Sequence, residues 1–164
     1  MKNEKSAVII AILLFVLWVL LTGFNPLELL LGVGLSCLVA VALKDYASIF
    51  ESVKLTRALF INIPVYLGVF AAELIKSNID VALRVIDPRL PINPAIVKIE
   101  TSLKSELGKL VLANSITLTP GTLSIDVREN VLYIHCIDTN VKSVAEASKE
   151  IGSKFENILK GIVE

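Results

Sequence analysis

The sequence contains no Gln, one His, one Trp and two Cys, and its single Met is residue 1. Each shortage excludes something. One histidine cannot build a His-rich metal site. His135 and Cys136 are neighbours in a strand-like run, so their side chains point to opposite faces and cannot share an ion. His135 is therefore expected to be a hydrogen-bonded structural residue with Tyr133 on its own face. Cys37 lies in an apolar run far from Cys136, which gives neither a disulfide framework nor a metal pattern and fits a reducing compartment for the tail. Net charge is absent too: 16 Lys and Arg balance 16 Asp and Glu. No basic stripe interleaved with aromatics exists, which sets nucleic acid aside. No phosphate-cradling glycine loop, metal cluster or nucleophile–base pair is visible. The chain is thus expected not to be an enzyme, with no catalytic residue, cofactor, metal or small-molecule substrate of its own. The missing Gln, with Lys over Arg and Glu over Asp, is a thermophile tendency; nine Asn count against it.

What the sequence has in excess is apolar length. It is 54% hydrophobic, against about 45–50% for an ordinary soluble domain. Residues 6–43 and 58–75 hold most of that excess. Ala7 to Thr22 (AVIIAILLFVLWVLLT) carries no charge and, at about 1.5 Å per residue, spans roughly 25 Å. A signal peptide would also begin with a basic start and an apolar core. No small-x-small cleavage site follows, and a second apolar run starts at once, so a retained span is expected. Gly23-Phe24-Asn25-Pro26 is a strong turn signal, and Pro26 suits the first turn of a second helix with Glu28 near its positive end. Leu27 to Leu43 is nearly charge-free, and Gly32, Gly34, Ser36 and Ala40 would let a neighbouring helix approach closely. Lys2 and Lys5 flank one end of this hairpin, Lys44, Lys54 and Arg57 the other, and the turn holds no cation. The positive-inside rule places both ends in the cytoplasm.

The third apolar segment, Ala58 to Ile75, is long enough to span but contains Asn62, Pro64 and Glu73, and its helical pattern runs on past Lys76. On a helix, Asn62, Tyr66, Glu73, Asp80 and Arg84 fall near one stripe, with apolar residues around the remainder. Either this helix lies in the interface or against partner subunits, leaving the tail cytoplasmic, or it crosses and puts the tail outside. The first reading is favoured. Glu73, a carboxylate in an apolar stretch, is a functional candidate by default; the plainer alternative is a surface residue paired with Lys76.

The expected organisation is a membrane part over residues 1–86, with helices at about 6–22, 27–43 and 55–86. A stiff linker follows at 87–94, with Pro88, Pro91 and Pro94, and then a small domain over 95–164. In that domain Ala95–Thr101 reads as a strand and Ser102–Asn114 as a helix. Thr122–Val127 and Val131–Ile137 form a hairpin turning at Arg128-Glu129-Asn130, and an amphipathic helix begins near Val144 with Gly152 as a weak point. Asp138-Thr139-Asn140 is read as the cap cluster. The fold class is a membrane α-helical hairpin plus a third long apolar helix, followed by a small α+β domain of order β-α-β-β-α.

Two runs carry a resemblance. They are Glu73-Leu74-Ile75-Lys76-Ser77-Asn78 with Val81, and Asn114-Ser115-Ile116-Thr117-Leu118-Thr119-Pro120-Gly121-Thr122. The chain resembles the E-type family among the components of multisubunit Na⁺/H⁺ antiporters over essentially its whole length. The resemblance implies an accessory subunit of a cation/proton antiporter, or of the antiporter-like module of an energy-converting membrane complex such as an archaeal hydrogenase or sulfur reductase. It implies other membrane subunits and the lipid bilayer as partners, with ions carried elsewhere. Glu73, Lys76, Ser77, Asn78, Asn114, Thr117, Thr119, Pro120, Gly121 and Thr122 would be structural or interface residues. Read physically, Thr119-Pro120-Gly121-Thr122 is a tight turn, and the uncharged polar residues around it satisfy backbone groups where a helix enters a strand. The other classes of function weighed are a free-standing membrane-anchored binding module with a cytoplasmic recognition domain, and a small transporter forming a homo-oligomer, against which the near absence of polar groups in residues 7–22 and 29–43 counts.

Overall fold

The structure is a computed structural model that describes residues 2–44, 57–139, 141 and 143–163. The expected helix start at residue 55 and the capping role of Asn140 fall outside these residues. The chain forms two compact units, Met1–Val53 and Lys54–Glu164.

The first unit holds α1 (Lys2–Thr22) and α2 (Pro26–Ala42). Gly23 makes the turn at φ +80, where a side chain would be strained. The Asn25 side chain then accepts from the Leu27 amide and caps α2, with Pro26 in the first turn as its fixed φ favours. The Trp18 indole donates to the Glu28 carbonyl at 2.8 Å. Its ring lies over Gly32 so closely that a Cβ there would sit 2.5 Å from Trp18 Cδ1. Gly32, Ser36 and Ala40 are buried at helical spacing, whereas Gly34 faces open space. Three of the four small residues thus serve helix–helix contact. By length and apolar character α1 and α3 (Arg57–Ile86) qualify as candidate spans, while α2 is shorter.

The second unit contains β1 (Ala95–Glu100), α4 (Glu106–Leu118), β2 (Thr122–Arg128) and β3 (Val131–Cys136). These are followed by α5 (Val144–Ala147), a π-helical stretch at Ser148–Gly152, and α6 (Ser153–Val163). The three strands form an antiparallel sheet in the order β1-β3-β2. The coarse expectation of apolar N-terminal helices followed by a small α+β domain is met. Alternate residues Leu132, Ile134 and Cys136 of β3 point into a core shared with Ile99, Leu112, Ile116, Phe155 and Leu159. Helix α3 packs on the α+β elements of this unit. Tyr66, Val69 and Phe70 lie on the core, and the Tyr66, Phe70 and Phe155 rings meet at 6.2–6.5 Å between centroids. The 87–94 connector is tied down as well. The Asn93 amide donates to the Ile137 carbonyl at 3.2 Å, and the Pro91 carbonyl accepts from Arg84 at 2.6 Å.

Several boundaries differ from the sequence reading, among them the start of α1 at Lys2. Helix α4 begins after Ser105, whose hydroxyl caps Gly108 N, and runs four residues beyond Asn114. It continues because Ile116 completes the buried stripe and the Ser115 hydroxyl bonds back to the Val111 carbonyl. The last helix is capped by Ser143, not by Asp138 or Thr139. Its interior carries a π-turn ending at Gly152, the predicted weak point.

Glu156 fastens α6 to the segment after β1. It accepts from the Thr101 hydroxyl and the Ser102 amide at 3.0 Å each and from the Ser102 hydroxyl, with Lys160 at 3.4 Å. Burial pushes its carboxyl up, but the Ser102 and Thr101 hydrogen bonds and the Lys160 charge outweigh that and hold it below the usual glutamate range. A depressed carboxylate adds stability above its unfolded pKa that is lost as pH falls through its folded value. The tail's thermal midpoint should therefore hold steady from neutral pH to the ordinary glutamate range and drop below it. Glu156→Gln should lower the neutral midpoint and flatten that acid-side drop. A second expectation concerns the hairpin. Gly32→Leu should displace Trp18 and destabilise the α1–α2 contact by about 1–3 kcal/mol. Trp18 is the sole tryptophan, so its emission and its quenching by brominated lipid report the change directly.

Candidate functional site: a charged cleft beside α3

Helix α3 lays its polar stripe along the α+β body. Near its start, Asn62 donates to the Gly161 carbonyl at 3.0 Å. One turn on, the Tyr66 hydroxyl pairs with the Ser115 hydroxyl. Glu73 accepts from Lys154 at 2.8 Å. Near its end, Arg84 bridges Asp80 on its own helix and Asp138 after β3, each at 2.8 Å. The stripe recognised in the sequence is thus a seam. It faces protein because the α+β body supplies a partner for nearly every polar group on it.

A cleft of about 420 Å³ opens along this seam. Both sequence runs meet there. Glu73, Lys76 and Ser77 line it from α3, and Thr119, Pro120, Gly121 and Thr122 from the turn between α4 and β2. Asn78, Asn114 and Thr117 do not. Asn78 is exposed and donates to its own helix at the Leu74 carbonyl, 2.7 Å away. Asn114 is exposed, and the Thr117 hydroxyl accepts from the Ser124 amide at 3.0 Å. The expected Glu73–Lys76 alternative gives way to the long-range Glu73–Lys154 pair, because the stripe is covered by α6.

The turn itself is a polar knot. The Ile116 carbonyl accepts from both the Thr119 and Thr122 hydroxyls, at 2.8 and 2.6 Å, and the two hydroxyls lie 3.0 Å apart. Gly121 has φ +93, and a Cβ there would meet Ile137 at 3.2 Å and Val81 of α3 at 3.6 Å. Gly121 thus serves the turn and leaves room for Ile137.

The sequence reading missed Asp138, Glu146, Glu150 and Lys154 on the opposite wall. The spacing of the last three, four residues apart, was the available signal. On this wall burial, then the Glu150 carboxylate, pushes the Cys136 thiol up, so it is held as the unreactive thiol. Among the described residues no three His, Cys, Asp or Glu side chains converge as a metal site. The arrangement can hold elements together by charge; it presents no activated nucleophile.

Fold and cleft together define a membrane-associated α+β protein whose third helix is fastened to its small domain. Residues 11–162 match the family model described as Na⁺/H⁺ ion antiporter subunit. The E1 subunit of the Na⁺/H⁺ antiporter of Staphylococcus haemolyticus is 32% identical, over 96% of this chain and 97% of that one. The E subunit of the Na⁺/H⁺ antiporter of Alkalihalophilus pseudofirmus is 39% identical over 57% of this chain and 59% of its own. Among solved structures, a chain of the membrane-bound sulfane sulfur reductase, an archaeal respiratory membrane complex, superposes with a TM-score of 0.83. It shares 36% identity and covers 94% of this chain and 97% of that one. The chain belongs to the family of Na⁺/H⁺ antiporter E subunits. It is a membrane subunit whose partners are other membrane subunits of such complexes.

Replacing Gly121 with Ala should cost about 1–2 kcal/mol from the left-handed backbone alone, with the Ile137 contact in addition. Hydrogen exchange of the β2 and β3 amides should speed up accordingly, while Pro120→Ala should have a smaller effect.

Proposed function

We propose that this chain is an accessory, scaffolding subunit of a multisubunit cation/proton antiporter, or of the antiporter-like module of an energy-converting complex. It holds the assembly together while other subunits move the ions. The observation that carries this reading is the pairing of the charges along α3. Glu73 is used by Lys154, and Arg84 by Asp80 and Asp138. The hairpin offers no chain of charges for a relay either, since from Ser6 to Leu43 its single charged residue is Glu28, in the first turn of α2.

The N-terminus and the α+β tail lie in the cytoplasm, and α3 does not cross. Two features support this: the lysines flanking the hairpin and the seam itself. Asn62 and Arg84 both touch the α+β body. The 22 intervening steps amount to about 33 Å, as long as the hydrocarbon core is thick. A crossing α3 would drag Lys154 and Asp138 into hydrocarbon or tear them from their partners.

Glu73→Gln is the discriminating variant. An ion pair this exposed contributes only about 0–1 kcal/mol, so complex recovery in mild detergent should fall little, and transport per assembled complex should match wild type. Normal assembly with transport abolished would place Glu73 on an ion pathway and end the scaffold reading. Recovery of the wild-type chain only as a monomer would favour the free-standing binding module.

A further inference from the structure

Helix α3 is amphipathic in the inverted sense. Its polar stripe faces the protein, and the opposite face, turned outward, is apolar. Phe60 and Ile86 are each 76% exposed, Ile61 66%, Leu83 63%, Ile75 62% and Ile79 57%. Between Ala58 and Ala72 there is no charged residue at all. The polar intruder on the outward arc, Asn78, has its amide bonded back to Leu74, which removes a donor that would otherwise need water. Lys76 stands at the border between the outward face and the cleft, exposed, on a stem long enough to keep its charge in the polar layer. An apolar face of this length is not stable against water.

We propose that the outward face of α3 is a seat on the bilayer. The helix lies in the plane of the cytoplasmic leaflet, its apolar side in the upper acyl region and its polar side holding the α+β body above. This rests on the non-crossing topology of the preceding section and adds what covers the helix. Lipid is the occupant favoured by three features. The apolar face runs from Phe60 to Ile86, nearly the whole helix. Its polar border is a lysine facing the headgroup layer, where it complements lipid phosphate. The chain also carries α1, a helix long and apolar enough to cross a membrane.

The test uses the full chain in its purified complex, reconstituted in vesicles of equimolar phosphatidylethanolamine and phosphatidylglycerol. Cys37 is replaced by Ala and the buried Cys136 is retained. Single nitroxide-labelled cysteines are placed at Ile61, Ile75, Ile79, Leu83 and Ile86, with Glu129 as a water-exposed control. All five outward labels should collide with oxygen more than with a nickel chelate. They should share one depth, about 5–10 Å below the headgroups. Depth changing steadily from residue 61 to 86 would mean a crossing helix and would overturn the topology and the seat together. Shielding from both reagents would mean that a neighbouring protein covers the face, which overturns the seat alone. Preference for the nickel chelate at all five sites would also overturn the seat.

Discussion

The second unit depends on one seam, where the polar stripe of α3 meets the α+β body. At its ends are the Asn62 hydrogen bond to the Gly161 carbonyl and the Arg84–Asp138 ion pair, and its middle is the Glu73–Lys154 pair. None is strong alone, because partly exposed ion pairs contribute little. Their value is in register. A helix of 30 residues can slide on an apolar surface, but fixed polar partners along its length admit only one alignment. The Tyr66, Phe70 and Phe155 rings then fill the space that this alignment creates.

The Thr119–Thr122 corner makes the seam possible. Helix α4 must stop, reverse and feed β2 without leaving polar backbone beside α3. The two threonine hydroxyls converge on one carbonyl, and Gly121 removes the side chain that would press on Ile137. The resemblance between this run and a known family is therefore also a statement about geometry. A corner built from hydroxyls and a left-handed glycine tolerates few alternatives, and it faces the run on α3 that carries the other half of the resemblance.

Much of this was legible in the chain. The apolar runs, the turn at Gly23-Phe24-Asn25-Pro26, the β2–β3 hairpin and the α3 stripe follow from periodicity and turn chemistry. What was not legible is long-range. Glu73 has Lys76 one turn away, and nothing local says that its partner is Lys154, 81 positions later. Asn114 and Ser115 look like a helix stop, since both favour turns. The helix continues because Ile116 is needed in the core, and tertiary burial outweighs the local preference. The packing of α3 on the α+β body is long-range for the same reason. Composition sees its apolar side, but the contacts are made by the opposite side, where the polar stripe is flanked by Val69 and Phe70.

That last contrast bears on how apolar helices are read. Hydropathy ranks α1 and α3 alike as candidate spans. Yet α1 is apolar around most of its circumference, while α3 divides into two halves of opposite character. A span must satisfy lipid or helix neighbours on every side, whereas a helix bound to a polar body on one side need satisfy an apolar medium only on the other. The position of the polar residues, five on one stripe of which four reach partners in the adjacent domain, therefore outweighs mean hydropathy in deciding what α3 can do. The same division explains why α3 carries an internal proline without breaking. Pro64 lies on the outward arc, and the inner face is held to the body on both sides of it, by Asn62 before and Tyr66 after. The contacts of the polar face thus supply the support that the missing backbone hydrogen bond withdraws.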